Sequence, residues 1–352
     1  MSDLRVGIIG GGGIAAKLHL PEMQSVDDAS VTLIAGRRQS RLETLCRKFG
    51  VPNWTQDYEA VVADEQLDAV IVALPHPLHV EWGLKAIQAG KHLFMQKPLS
   101  TSLDEADRFV NAAETTDRTV FALPYVANPT ILAAREMVAE GRLGTVSAAH
   151  ARYSHGGPEI YYAGIQQILE EQPDDNLWFF DADKADVGAL FDMGVYAIAN
   201  LSAILGSVRT VTARLTTVAK PTRLEDTAAL LMDFECGALG TAETGWCDAA
   251  RSAYLSVHGT EGKLESFGRP EPLTWWRPSS TTDEDAPPTS QTVDLTRFPQ
   301  HNAHQHWADC IRSGRQPELS NARTARHVTE IMLAGLQSSR EGRTVAVLSR
   351  ME

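Results

Sequence analysis

The chain has 352 residues, 43% hydrophobic and 22% charged, and its 32 Lys and Arg against 45 Asp and Glu leave a net charge of −13. A surface of that sign repels phosphate backbones and anionic headgroups, which argues against nucleic acid and membrane as partners, and no apolar run approaches the roughly 20 residues of a membrane helix. At this length one hydrophobic core gives way to two domains.

Residues 1–3 lead straight into Leu4–Ile9 with no charged, apolar and cleavage-site succession, so the expectation is a cytoplasmic protein. Up to about residue 125, β-branched runs at Leu4–Ile9, Val31–Ala35, Ala69–Ala73, His92–Met95 and Val120–Leu123 alternate with amphipathic stretches at Ile14–Ser25, Ser40–Phe49, His79–Ala89 and Ser102–Thr115. That rhythm predicts an α/β fold with a doubly wound parallel sheet and helices on both faces. Ala69–Ala73 is apolar without alternation, as a central strand buried on both sides must be. Ser102 and Glu105 have the spacing of a capping box.

Beyond residue 125 a helix at Ile131–Glu140 precedes longer alternating strands at Val146–Tyr153, Val208–Leu215, Thr227–Phe234 and Tyr254–Gly259, with a long helical segment at Ala189–Leu205 among them. Alternation of this kind predicts a mostly antiparallel sheet in an α+β domain. Pro278–Thr292 is a solvated loop or hairpin excursion; helices at Asn302–Ser313 and Ala322–Ser338 and a strand at Val345–Leu348 close the chain. The expected division is therefore a parallel-sheet α/β domain at 1–125 and an α+β domain at 126–352. Cys46, Cys236, Cys247 and Cys310 are far apart with no C-x-x-C pair, and read as reduced, mostly buried small residues.

The first strand runs into Gly10-Gly11-Gly12-Gly13-Ile14-Ala15, a G-x-G-x-x-A turn that opens the first helix. Gly10 allows the tight turn, Gly12 the approach of a pyrophosphate and Ala15 close helix packing, with Gly13 and Ile14 completing the binding turn. The second strand ends in Gly36-Arg37-Arg38, where an NAD site carries an acidic residue for the ribose diol. Two guanidinium groups suit a 2′-phosphate instead, so NADP(H) is the preferred cofactor, with NAD(H) possible. Pro75, His76 and His79 follow the Ala69–Ala73 strand and Gln96 and Lys97 follow His92–Met95, which puts them at the ligand-binding edge of an open α/β sheet. Asp192 and Tyr196 lie four apart in the later helical segment, and with Lys97 they make a candidate catalytic set. His301, His304 and His306 are assigned to the start of a helix, one of them within reach of the substrate cleft, and no metal site is assigned. Trp178 is placed to close over the cleft, and Arg152 reads as a solvent-facing strand arginine.

Taken together, the Gly10–Ala15 turn continuing to His19-Leu20-Pro21, the Pro75–His79 loop, Gly90-Lys91-His92 before Lys97-Pro98, the Gly188–Tyr196 segment and Gly259-Thr260-Glu261-Gly262 resemble the Gfo/Idh/MocA oxidoreductases over nearly the whole chain. The resemblance implies that residues 1–125 are a Rossmann domain and residues 126–352 a substrate and oligomerisation domain, with a large open sheet often used to form dimers or tetramers. It also implies a sugar, cyclitol or related polyhydroxy substrate bound between the domains. It carries Lys97 over from the family's E-K-P motif and Asp192 and Tyr196 from its D-x-x-x-H/Y pair. Gln96 departs from that motif, removing a carboxylate beside the lysine, and Tyr196 stands where many members have histidine. Two alternatives accompany the dehydrogenase reading: a non-catalytic NADP(H)-binding sensor, and an enzyme recycling tightly bound cofactor in net non-redox glycoside chemistry.

Overall fold

A computed structural model describes residues 3–172, 177–268, 272–283 and 285–351. Residues 1 and 2, where the leader reading begins, and Glu284 of the polar excursion lie outside the described residues. The chain divides into two compact units, one of Met1–Tyr125, Pro158–Trp178 and His301–Thr329, the other of Val126–Gly157, Phe179–Gln300 and Glu330–Glu352. Two segments that the sequence reading grouped with residues 126–352 thus cluster with the first unit.

The first unit is built on six parallel strands: β1 (Leu4–Ile9), β2 (Ala29–Ala35), β3 (Asn53–Thr55), β4 (Ala69–Val72), β5 (His92–Met95) and β6 (Val120–Ala122). Their order is β3-β2-β1-β4-β5-β6, with the topological switch between β1 and β4. The non-alternating apolar strands are explained by burial on both faces. Ala69, Ile71 and Phe94 belong to one core, while Val70, Val72, Leu93 and Met95 belong to the other. The first of these cores also takes in Ile165 and Leu169 of helix Pro158–Leu169, which the sequence reading lacked, and Ala303, Trp307 and Ala308 of helix Ala303–Arg312. Trp307 is fully buried against Phe94; an indole in that position contributes about 2–3 kcal/mol by removal of its surface from water.

The predicted helix at Ile14–Ser25 is wound as a π-turn, Ala15–His19, that runs directly into Leu20–Met23. β3 and helix Tyr58–Ala63 are short additions absent from the sequence reading. At helix Leu103–Thr115 the cap is relayed: Ser102 Oγ accepts from Glu105 N, but the Glu105 carboxylate takes the Ser100 hydroxyl at 2.6 Å, whose oxygen accepts the Ser102 N–H at 3.0 Å.

The second unit holds nine strands: β7 (Val146–Ser154), β8 (Val208–Thr216), β9 (Thr227–Phe234), β10 (Leu239–Gly245), β11 (Ser252–Gly259), β12 (Lys263–Ser266), β13 (Thr274–Arg277), β14 (Thr289–Thr292) and β15 (Val345–Ala346). Their order is β14-β13-β12-β11-β7-β10-β9-β8-β15, antiparallel throughout except for the β7–β10 pair. The predicted excursion at Pro278–Thr292 ends in β14, which closes a hairpin on β13. On β9, Ala228, Leu230, Met232 and Phe234 are buried, whereas Leu231 between them is 45% exposed, so the sheet is covered on one face. The buried helix Val195–Leu205 packs on β7 and β10. The cysteines are free, but the expectation that most are buried fails: Cys236 and Cys247 are exposed, one in the β9–β10 turn and one just past β10. Among the described residues no helix is long and apolar enough to cross a membrane.

Candidate functional site

At the carboxyl edge of the parallel sheet the glycines have separate physical reasons. Gly10 has φ +117°, and a Cβ there would lie 2.3 Å from the Ala73 carbonyl oxygen, so the β1 turn excludes any other residue. The N–H groups of Gly10 and Gly11 both donate to the Ala35 carbonyl, at 2.9 and 2.8 Å, which ties this turn to the end of β2. A Cβ on Gly12 would meet nothing within 4 Å, so this is where the turn faces open space. Gly13 is different, because its Cβ would lie 2.8 Å from Ile165 Cδ1. Helix Pro158–Leu169 therefore packs directly on the glycine turn. Ile14 is half-buried and Ala15 fully buried.

The end of β2 bears Arg37 and Arg38 and no acid of its own. A carboxylate nevertheless reaches the arginines. Glu171 accepts from Arg41 Nε at 2.7 Å, makes a second, shorter contact with the same guanidinium, and lies 3.7 Å from Arg38 Nη1. Nothing in the β2 motif announces Glu171, which arrives from more than 130 positions later. Beside it, Glu170 pairs with Arg47 and Lys48.

Behind β4, the His79 ring is buried between two carbonyls, with Nδ1 2.7 Å from Pro98 O and Nε2 2.7 Å from Leu74 O. It thereby joins the Pro75–His79 loop to the Lys97-Pro98 turn, which contains a cis peptide bond. Burial pushes the His79 pKa down, the two carbonyls raise it in part, and the Lys97 charge lowers it. His76 packs against Trp178, ring centroids 5.1 Å apart, and the Trp178 indole donates to the Tyr162 hydroxyl at 3.4 Å. Pro75 precedes the short 3-10 turn His76–Leu78. Gln96 is buried and its Oε1 accepts the Lys97 N–H at 2.7 Å, while the Lys97 side chain is half-buried.

His304 stands at the start of helix Ala303–Arg312, where the sequence places it. It is fully buried in the first unit, stacked on Phe94, and bonded to His19 and Glu22. A fully desolvated ring is retained only with hydrogen-bond partners, and these it has. Among the described residues, no group of three or more His, Cys, Asp or Glu is placed to hold a metal ion.

In the second unit a π-turn, Leu190–Gly194, carries Asp192 and leads into the helix that carries Tyr196. Turns of this type insert one extra residue and recur at functional sites. Asp192 accepts from the Trp246 indole at 2.9 Å and lies 3.5 Å from His155 Nε2, and Tyr196 stacks on Tyr153 with centroids 5.9 Å apart. Trp246, Ala189 and Met193 form the buried cluster on which Tyr153 and Tyr196 pack. The approach to the turn is clamped by Glu225, whose Oε1 accepts from Gly188 N at 3.0 Å and Leu190 N at 3.2 Å. Burial raises the Glu225 pKa against the pull of those N–H groups. Sequence reasoning missed His155, Trp246 and Glu225. The one signal for His155 is its place at the end of β7, ahead of Gly156-Gly157. Arg152 faces solvent as expected, its side chain 39% exposed, but it is not free there: it pairs with Glu243 at 2.9 Å and lies 3.6 Å from Asp248.

Two family models match: residues 4–123 as "Oxidoreductase family, NAD-binding Rossmann fold" and residues 131–265 as "GFO/IDH/MocA C-terminal domain". A D-xylose 1-dehydrogenase (NADP(+)) of Haloferax volcanii is 30% identical over 261 residues, 74% of each chain. The chain belongs to the Gfo/Idh/MocA oxidoreductase family. An uncharacterized oxidoreductase of Rhizobium meliloti is 32% identical over 200 residues, 56% of this chain and 55% of its own length. Among solved structures, a levoglucosan dehydrogenase in complex with NADH and L-sorbose superposes with a TM-score of 0.83 at 23% identity, covering 99% of this chain and all of the other. That likeness establishes the shared family fold, a Rossmann sheet followed by a large, mostly antiparallel one.

Proposed function

We propose that the protein is an NADP(H)-preferring dehydrogenase or reductase acting on a secondary alcohol, carbonyl or hemiacetal carbon of a sugar, cyclitol or related polyhydroxy compound. The observation that carries the reading is the carboxyl edge of the parallel sheet, where Gly12 faces open space, Arg37 and Arg38 end β2 without an acid, and Lys97 stands behind β5. A turn that excludes side chains at Gly10 and leaves room at Gly12 fits a dinucleotide's pyrophosphate, and the arginines fit a 2′-phosphate. The NADP(+) in the name of the Haloferax relative points the same way, and sugars recur in the relatives' names.

When bound, a nicotinamide supplies the two-electron redox partner. This chain's own residues then bind, orient and move the proton. Tyr196 or Lys97 exchanges the proton of the substrate hydroxyl, and Asp192, beside Trp246 and His155, orients the substrate. The uncovered face of the nine-stranded sheet, with Leu231 45% and Leu239 48% exposed, supports a homodimer or homotetramer.

Titration of the cofactor-free protein with NADPH and NADH, followed by tryptophan quenching, tests the first step, and binding of neither nucleotide would end the proposal. Turnover is then assayed on D-xylose, levoglucosan and scyllo-inositol. Lys97→Ala combined with Tyr196→Phe should abolish it and spare NADPH binding; turnover that survives both changes refutes the proton-transfer assignment.

A further inference from the structure

A chain of polar side chains in the first unit ends at Lys97 and is explained by no motif. The backbone N–H of Lys97 donates to Gln96 Oε1 at 2.7 Å. A backbone amide can only donate, so it settles which end of the Gln96 amide is which, and the Nε2 end faces His19 Nε2 at 3.1 Å. His19 Nε2 therefore accepts, which puts the His19 proton on Nδ1, 2.9 Å from His304 Nε2. His304 accepts there and donates from Nδ1 to a Glu22 carboxylate oxygen at 2.8 Å. The far end agrees, because a carboxylate only accepts. Backbone amide at one end and carboxylate at the other set the same direction for every bond between them.

The rings are held in place as well as bonded. His304 stacks on Phe94 with centroids 4.4 Å apart and planes 6° from parallel, and His19 meets the same ring edge-on at 5.6 Å. Both imidazoles are 0% exposed and Gln96 is 5% exposed. The charged and titratable groups facing the pair come from two further elements: Glu22 on Leu20–Met23 and His79 on helix His79–Gln88, the latter itself under the Lys97 charge. Burial first, then His304 and His79, hold the His19 pKa well below the ordinary imidazole range, as a ring with a single proton requires.

We propose that Glu22, His304 and His19 are positioning residues for Lys97, acting through Gln96, and that glutamine at 96 and a singly protonated histidine pair are a matched set. The proposal rests on the reading of Lys97 as a proton-transfer residue. With a glutamate at 96, acceptors would close both ends of the chain. His19 would have to donate from Nε2 while His304 still donated from Nδ1, so the pair would carry three protons on four ring nitrogens in place of two, the third taken from solvent. Glutamine supplies the missing donor itself, and the buried pair needs no charge.

The test is a long-range 1H–15N correlation spectrum of the full chain labelled at histidine nitrogen, with the rings assigned by their loss in single variants. Both His19 and His304 are expected as neutral rings protonated on Nδ1, and Gln96→Glu should move the pair to the imidazolium pattern. An Nε2–H tautomer on either wild-type ring, or a Gln96→Glu spectrum identical to wild type, overturns the chain. For positioning, His304→Phe keeps the stack on Phe94 and removes both bonds. It should displace the Lys97 amide resonance and lower kcat on NADP+ with D-xylose about tenfold, with the NADP+ Kd changed less than about twofold. Glu22→Gln, which keeps an acceptor, should leave the Lys97 resonance in place. A stationary Lys97 amide in folded His304→Phe overturns the positioning role, whether or not D-xylose is a substrate. Lys97→Ala is assayed in parallel: normal turnover there refutes the reading of Lys97, while the tautomers still decide the chain.

Discussion

The Trp246 indole, 0% exposed, donates to Asp192 Oδ2 at 2.9 Å, and His155 Nε2 approaches the same oxygen at 3.5 Å. His155 Nδ1 is taken by the Gly157 N–H at 2.8 Å, so the proton of the neutral ring sits on Nε2, toward the carboxylate. One hydrogen-bond donor and one nearby imidazole, from separate elements, thus face the same oxygen of Asp192. Trp246→Phe keeps an aromatic ring beside Phe179 and Phe180 and removes one donor. A hydrogen bond to a charged group contributes about 1.5–3 kcal/mol, so kcat/KM should fall by about tenfold or more. NADPH affinity, measured separately, should not change. An unaltered kcat/KM would show that Asp192 works without the indole.

Glu171 bears on cofactor choice. Its carboxylate lies 3.7 Å from Arg38, one of the two guanidinium groups proposed for the 2′-phosphate, while it pairs with Arg41, and it would repel that phosphate. Glu171→Gln should therefore tighten NADPH binding about three- to tenfold and leave NADH within about twofold. Arg37→Asp should move the ratio the other way. Arg38 is 61% exposed, and an ion pair that open to water contributes only about 0–1 kcal/mol, so any stability cost of Glu171→Gln falls on the more sheltered pair with Arg41. Fluorescence titration of each variant with both nucleotides reads the ratio directly, and an NADPH to NADH ratio unchanged in Glu171→Gln would remove Glu171 from the account.

Much of the fold is legible where local pattern and burial coincide. β1, β5 and β9 begin and end where hydrophobicity predicts, because each strand's neighbours impose the same in-out alternation or double burial that its own residues display. β10 escapes notice because Leu239–Gly245 is a run of small and polar residues, strand only through its pairing with β7 and β9. Helix Ala303–Arg312 is visible as an amphipathic stripe, but periodicity says nothing about which core the stripe joins. The site divides along the same line. Glycine turns and the Lys97 loop are short local motifs, whereas Trp246, His155 and Glu171 act on partners 37 or more positions away, a relation that a single sequence does not display.

Acid stability should carry a specific signature from Asp226, which is 0% exposed. Its carboxylate accepts from the N–H groups of Val218, Ala219 and Lys220 and from the Thr227 hydroxyl, ordering the β8–β9 connection. Burial alone would raise its pKa, but the donors outweigh burial and bring it from 3.8 to about 2. A depressed folded-state pKa means that stability from this group is complete above the unfolded value and is lost as pH falls from about 4 toward 2. At neutral pH the contribution is about 2 kcal/mol. Urea unfolding of wild type and Asp226→Asn should differ by about that much at neutral pH and converge near the folded pKa. A gap that stays constant with pH would assign the loss to packing instead of charge.

Gly13 and Ile165 offer a test of the helix that sequence reading overlooked. A Cβ on Gly13 would lie 2.8 Å from Ile165 Cδ1 and 2.9 Å from Cγ2, and Ile165 is only 1% exposed, so it has little room to retreat. Gly13→Ala should then force helix Pro158–Leu169 away from the β1 turn. Overpacking of this kind costs about 1–3 kcal/mol, and here part of the cost falls on the turn that would hold the pyrophosphate. The expected result is a lower Tm together with about tenfold weaker binding of both NADPH and NADH. Ile165→Ala alone leaves a cavity and lowers stability, yet in the Gly13→Ala background it should restore nucleotide affinity, because the clash is with those two atoms. Affinity that stays low in the double variant would show that the loss does not come from the clash with Ile165.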